Sequence, residues 1–187
     1  MKAILASPAD KVDAISIHEA GHAVIALALR HRLSAVTVQG SGHIGVYIEL
    51  RGSAARMFRE RPDGVFVDVS IEKRQRCARE AVCIFLAGRE SEQQILPDLS
   101  LPDSDRHDRE LIARELPQAL ASGQEAADLL SQLEQRTRLM VRTYRDVIVF
   151  LATLLVSNTS LTAGEVRRAC KLPMAIARRT ATQKGGN

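Results

Sequence analysis

The sequence has little of several features on which other classes of protein depend. Its 187 residues include no tryptophan and only 3% aromatic residues, and the net charge is +4. Single-stranded nucleic acid is usually bound by aromatic side chains on a strongly basic surface, so nucleic acid is not expected as a partner. The three cysteines form no C-x-x-C pair and are odd in number, which is typical of reduced thiols in a cytosolic compartment. We therefore expect a cytoplasmic protein.

Long apolar runs are also missing. The longest run, VIVFLATLLV at 147–156, is about half as long as a membrane span of about 20 residues. The stretch MKAILASPAD at 1–10 has too short an apolar core for a signal peptide. A G-x-x-x-x-G-K-[ST] phosphate loop is absent as well. The sequence therefore predicts a soluble chain, not inserted in a membrane and without a nucleotide-driven motor of its own.

The stretch SIHEAGHAVIALALR at 16–30 carries the most specific motif of the chain. On an α-helix His18 and His22 lie on the same face, so both imidazoles can bind one metal ion. In an H-E-x-x-H arrangement the carboxylate, here Glu19, is the base for the attacking water and not a ligand. Gly21 costs about 1 kcal/mol relative to alanine within a helix and indicates close approach by another element. The alternative interpretation is a pair of core histidines that are hydrogen-bonded to polar neighbours.

A catalytic zinc ion usually has three protein ligands and one open position, so the histidine pair requires a third ligand. The residue types and their spacing do not select one. The candidates are Glu90, Glu92, His43, and the cluster Asp103, Asp105, His107 and Asp108. At least one carboxylate of that cluster is expected to cap a helix N-terminus instead.

Hydrophobic periodicity predicts a mainly helical α+β fold, with a helical bundle and a small β-hairpin beside the H-E-x-x-H helix. The predicted helices cover about 10–32, 70–96, 104–117 and 124–156, with a further short helix after 158. Strands are predicted at 35–40 and 43–50, joined by Gly40, Ser41 and Gly42, while 65–69 is either a third strand or the approach to the next helix. We predict one domain over 1–172 and a basic, flexible tail over 173–187.

Four stretches spread over most of the chain resemble segments of one known protein family. They are HEAGHAV at 18–24, LAGRESE at 86–92, SDRHDRELIAR at 104–114 and LTAGEV at 161–166. Together they resemble the peptidase domain of the FtsH-type membrane-anchored AAA proteases, whose corresponding segments are a zinc motif, GGRAAEE, the segment with a third aspartate ligand, and LTGEE. The threonine- and glycine-rich residues before that aspartate are replaced here by LSLPDS.

The resemblance implies a zinc ion held by His18, His22 and Asp105, with Glu19 as the catalytic base. The assignment of Asp105 comes from alignment on the shared Ala-Arg pair at 113–114, and Asp108 and then Glu92 are the alternatives. The resemblance also implies a ring of identical copies, although the segment that usually drives ring assembly is not found.

The resulting hypothesis is an ATP-independent zinc metalloendopeptidase that cleaves unfolded or short polypeptides. The substrate would lie extended beside HIGVYIEL at 43–50, where Gly45 permits close approach of an added strand. An ordinary core hairpin is the alternative interpretation of this stretch. The alternatives are a catalytically silent binding or scaffold module of the same fold, a peptidase component that needs a separate ATPase partner, and a zinc hydrolase that acts on a non-peptide bond.

Overall fold

The computed structural model describes residues 13–37, 45–49, 58–60, 66–68, 70–99, 103–158 and 160–184. The helices are α1 (Ala14–Ala28), α2 (Ile71–Ile95), α3 (Arg106–Ala119), α4 (Ala126–Asn158) and α5 (Ala163–Lys184), with a short 3-10 helix, Pro97–Leu99, after α2. The strands are β1 (Arg32–Thr37), β2 (Gly45–Glu49), β3 (Phe58–Glu60), β4 (Phe66–Asp68) and β5 (Ser160–Thr162). The predicted fold class, mainly helical α+β with a small sheet, is confirmed.

Helix α1 is the central element of the fold. The Asp13 side chain caps it by accepting a hydrogen bond from the Ser16 N–H at 2.6 Å, and 12 of its 15 residues are buried. A helix that is apolar on nearly all sides is stable only when neighbours surround it, and α1 packs against both α2 and α4. The predicted close approach at Gly21 is confirmed, because a Cβ atom there would lie 2.7 Å from the Ala87 carbonyl oxygen.

The small sheet lies against α1. Its order is β2-β1-β5, and β1 pairs antiparallel with both neighbours. This confirms the predicted pairing beside the H-E-x-x-H helix, although β1 lies at 32–37 and not at 35–40. The predicted connection Gly40-Ser41-Gly42 lies outside the described residues. Strands β3 and β4 form a separate antiparallel pair, so the strand alternative for this segment is confirmed at 66–68. The periodicity predicts neither β3 nor β5.

The ends of α2 and α4 agree with the predicted helices at 70–96 and 124–156 to within a few residues. Helix α2 begins after Ser70, whose hydroxyl accepts a hydrogen bond from the Lys73 N–H at 3.4 Å. Helix α3 differs from the prediction because it continues through Pro117 to Ala119. Proline removes one backbone donor, and so close to the end of a helix this costs a single hydrogen bond.

Helix α5 corrects the predicted boundary at 172. Thr162 and Glu165 form a capping box, in which the Glu165 carboxylate accepts from the Thr162 N–H at 2.8 Å and from its hydroxyl at 2.7 Å. The helix then continues through Pro173 to Lys184, and Met174 is buried in the main core. The folded unit therefore extends beyond residue 172, because Met174 and the partly buried Ala177 pack on the core.

Within the described ranges no helix combines the length and the apolar composition needed to cross a membrane.

Candidate metal centre

Two helices, α1 and α3, bring two imidazoles and one carboxylate together. The Nε2 atom of His18 lies 3.0 Å from Oδ2 of Asp108, and the Nε2 atom of His22 lies 3.2 Å from the same oxygen. The histidines lie one turn apart on α1, and Asp108 lies in the first turn of α3. All three residues are buried, and one potential ligand atom from each lies within 4.8 Å of the others. This group can hold a metal ion.

The outer nitrogen of each ring is held by an acceptor. The Nδ1 atom of His18 lies 2.6 Å from Oε1 of Glu92, and the Nδ1 atom of His22 lies 2.7 Å from the backbone oxygen of Ile84. A carbonyl oxygen or an ionised carboxylate only accepts, so each Nδ1 atom carries the proton and donates it. In the neutral rings the Nε2 lone pairs then face Asp108. Two lone pairs and a carboxylate oxygen converge only when a positive charge, a proton or a metal ion, lies among them.

Gly88 of α2 keeps space open beside the histidine pair. A Cβ atom at this position would lie 2.5 Å from Nε2 of His18 and 2.6 Å from Nε2 of His22. Any larger residue would therefore displace the two nitrogens that face Asp108. The glycine in LAGRESE is explained by this close approach, since only a backbone without a side chain fits against the potential ligand atoms.

The electrostatics favour positive charge at the centre. Burial lowers the pKa of His18, but the hydrogen bonds with Asp108 and Glu92 and the nearby charges of Asp108 and Glu19 raise the pKa further, to about 10. Burial raises the pKa of Asp108, but the charges and hydrogen bonds of His22 and His18 outweigh this effect and hold the pKa below its ordinary value. The carboxylates thus draw a cation to the space between the rings.

The group of potential ligands contains Asp108 and not Asp105, the ligand that the family resemblance implies. Asp105 is the residue before the first turn of α3, and its carboxylate binds the guanidinium of Arg109. Asp108 lies one turn later on the side of α3 that faces α1 and α2. Buried Ile112, one turn further on the same side of α3, packs in an apolar cluster with residues of α2.

The remaining candidates from the sequence lie elsewhere. Glu90 accepts a hydrogen bond from Arg138 of α4 at 3.3 Å. Asp103 pairs with the guanidinium of Arg109 at 3.1 Å. The side chain of His107 is 80% exposed. His43 lies outside the described residues. None of the first three belongs to the group of potential ligands found among the described residues.

Glu92 has a role that the sequence analysis did not assign to it. Its side chain is fully buried and orients His18, as described above, while its other oxygen accepts from Arg89 at 3.2 Å and from the Ser104 hydroxyl at 3.1 Å. Carboxylates that accept from a histidine Nδ1–H in this way fix the ring for metal binding. The only signal in the sequence is the stretch LAGRESE, which contains both Gly88 and Glu92.

A cleft borders the centre on the side of α3 and α4. It has a volume of about 530 Å³, and Asp108 lies in its wall. Apolar side chains from three helices line much of it, among them Phe85, Leu86, Ile112 and Leu116.

Comparison with protein-family models gives no match, and neither does comparison with curated protein sequences.

Proposed function

We propose that the chain is a zinc-dependent metallopeptidase in which His18, His22 and Asp108 hold the metal and Glu19 is the catalytic base. The observation that carries the proposal is the buried convergence of two Nε2 atoms and one carboxylate oxygen on a helix with the H-E-x-x-H sequence. The resemblance of four stretches to the FtsH-type peptidase domain points in the same direction.

The donor set favours zinc. Two imidazole nitrogens and one carboxylate oxygen are three protein ligands, the number typical of catalytic zinc sites, whereas structural sites usually have four. The same donors also suit iron(II) in oxygenases, but those sites do not require a buried carboxylate beside the first histidine. Glu19 is 6% exposed and its charge acts on His18, so it is close to the centre without belonging to the ligand group.

Each residue then has a defined part in peptide hydrolysis. When bound, zinc would polarise the scissile carbonyl and acidify the attacking water. Glu19 would accept a proton from that water as the C–O bond forms, and would then deliver it to the amide nitrogen, which leaves as the amine when the C–N bond breaks. Glu92 and the Ile84 carbonyl would keep the two rings in orientation throughout. A silent scaffold with the same fold would have no use for Glu19.

The substrate is an extended polypeptide in this proposal. Strand β2 is at one side of the described sheet and contacts α1, the helix that carries both histidines. Its outer edge would pair with the peptide backbone of the substrate. The apolar cleft beside Asp108 offers space for a large substrate side chain. An extended substrate must be short or unfolded, because the backbone groups of a folded protein are already hydrogen-bonded to one another.

The test is cleavage of an unfolded casein-like protein and of a tightly folded domain by the zinc-loaded chain. We expect cleavage of the unfolded substrate only, at equal rates with and without ATP, and loss of cleavage with chelator. Glu19→Gln should retain zinc but lose cleavage by at least about a hundredfold, since the base is removed while size is preserved.

Turnover by Glu19→Gln at the wild-type rate would contradict the role of the base. No cleavage by the zinc-loaded wild-type chain would favour the scaffold or a required ATPase partner. Bound iron in place of zinc after metal analysis would contradict the metal assignment.

A further inference from the structure

Helix α5 carries an unusual excess of positive charge. Its 22 residues include six cations and one carboxylate. The carboxylate, Glu165, is occupied in the capping box with Thr162. The exposed cations are Arg167, Arg168, Lys171, Arg178 and Arg179. The charge on the surface of α5 is therefore not balanced within the helix itself.

Three of these cations line a cleft between α1 and α5. The cleft has a volume of about 300 Å³, with Arg167, Lys171 and Arg178 on its wall and Leu27, Met174 and Ala175 among its other lining residues. No carboxylate lines it among the described residues. The site thus combines positive charge with apolar surface.

Two of the cations are anchored at the ends of the cleft. Arg167 donates a hydrogen bond to the backbone oxygen of Leu33 at 3.3 Å, and Arg178 donates to the hydroxyl of Tyr144 at 3.3 Å. Their Cα atoms are eleven residues apart, which is about 16 Å along a helix. A single small anion cannot bridge this distance, so the spacing favours a linear ligand with several negative charges.

We propose that this cleft docks an acidic polypeptide segment that carries apolar side chains between its carboxylates. Five extended residues span about 16 Å, the separation of the two anchored arginines. The apolar side chains would contact Leu27, Met174 and Ala175. Single-stranded nucleic acid fits less well because no aromatic side chain lines the cleft within the described part of the chain. A membrane surface fits less well because the cations line a recess.

The site lies outside the metal centre, so the proposal goes beyond the proposed peptidase and does not depend on it. The Glu19→Gln variant should bind the segment as well as the wild-type chain does. Binding is therefore measured on the full chain without any cleavage step.

The experiment uses a fluorescein-labelled ten-residue peptide of alternating Glu and Leu, titrated with the chain at low ionic strength. We expect saturable binding that weakens as salt is added, because exposed charges are screened. Lys171→Glu should weaken binding at least about fivefold, since it replaces attraction by repulsion. Ala175→Glu should weaken it similarly, while the exposed Arg114→Glu of α3 is the matched control and should have no effect.

Four further probes test the proposal. A Lys and Leu peptide should not bind, and a Glu and Ser peptide should bind more weakly than Glu and Leu. Equal affinity of wild type and Lys171→Glu for the Glu and Leu peptide would overturn the assignment. Tighter binding of a single-stranded oligonucleotide than of the Glu and Leu peptide would also overturn it. So would tighter binding of anionic lipid vesicles, if that binding is lost when the exposed Leu172 and Ile176 are replaced by serine. Each result would assign this surface to another class of partner.

Discussion

Two buried sites near α1 both bring imidazole and carboxylate groups together, but they arrange these groups in different ways. At the metal centre, His18 and His22 face one oxygen of Asp108 at 3.0 and 3.2 Å. In the turn after α1, Nε2 of His31 lies 3.0 Å from Oε2 of Glu80 on α2. The His31 side chain is 0% exposed, and that of Glu80 is 20% exposed.

The difference between the two sites shows what distinguishes a potential metal site from an ordinary buried contact. At the second site one imidazole meets one partly exposed carboxylate, which is a stabilising interaction between the end of α1 and α2. At the centre, two rings have their outer nitrogens held by Glu92 and Ile84, and their inner nitrogens converge on one oxygen. Convergence of several donor atoms, rather than a histidine near a carboxylate, indicates a cation site.

The largest expected effect separates the two sites directly. His18→Ala and His22→Ala should each abolish zinc binding, because two remaining donors do not hold the ion tightly. His31→Ala should keep one zinc per chain and lower the free energy of unfolding by about 1–3 kcal/mol, since it removes a buried hydrogen-bonding group. Metal analysis after dialysis and unfolding in denaturant measure the two quantities. Full zinc occupancy in either α1 variant would place the metal elsewhere.

The next effect distinguishes Asp105, which precedes α3, from Asp108 in its first turn. Asp108→Asn should weaken zinc binding by more than a hundredfold, because it replaces a charged ligand at the point where both Nε2 atoms converge. Asp105→Asn should leave zinc binding unchanged and lower stability by only about 0.2–1 kcal/mol, since Asp105 pairs with the half-exposed Arg109. Competition with a zinc chelator measures both affinities. The reverse order of effects would restore the sequence-based choice of Asp105.

A smaller effect is expected where Glu92 orients His18. Glu92→Gln should weaken zinc binding by about 10- to 100-fold, because the amide is a poorer acceptor for the Nδ1–H. Glu90→Gln, two residues earlier on α2, is the matched control and should not change the affinity. An unchanged affinity in Glu92→Gln would mean that packing alone orients the ring.

The smallest effect is expected at the second histidine site. Glu80→Gln should lower the free energy of unfolding by about 1 kcal/mol, because it weakens one hydrogen bond at a partly exposed carboxylate. Zinc content should stay the same. Loss of zinc in this variant would show that the two sites are coupled through α1 or α2.

Local patterns predicted much of the fold. The start of α2 near residue 70, a helix after residue 158 and the paired strands beside α1 depend on residues near one another in the chain. The close approach at Gly21 involves Ala87 of another helix, but a glycine within a helical pattern already indicates it. The prediction of a flexible tail after 172 fails because the burial of Met174 depends on α5 packing against the core. The ends of α3 and β1 also shift by a few residues, since tertiary pairing outweighs local preference at element ends.

The sequence by itself determined that His18 and His22 share one face of a helix, with Glu19 beside them, because a spacing of four residues has this consequence in any α-helix. Only the tertiary structure decided which carboxylate meets them. His18 and Asp108 are 90 positions apart, and His18 and Glu92 are 74 apart. Asp105 and Asp108 have the same chemistry, so the choice between them depends on how α3 is placed against α1 and α2. That placement is set by contacts between helices, and no spacing within α3 contains it.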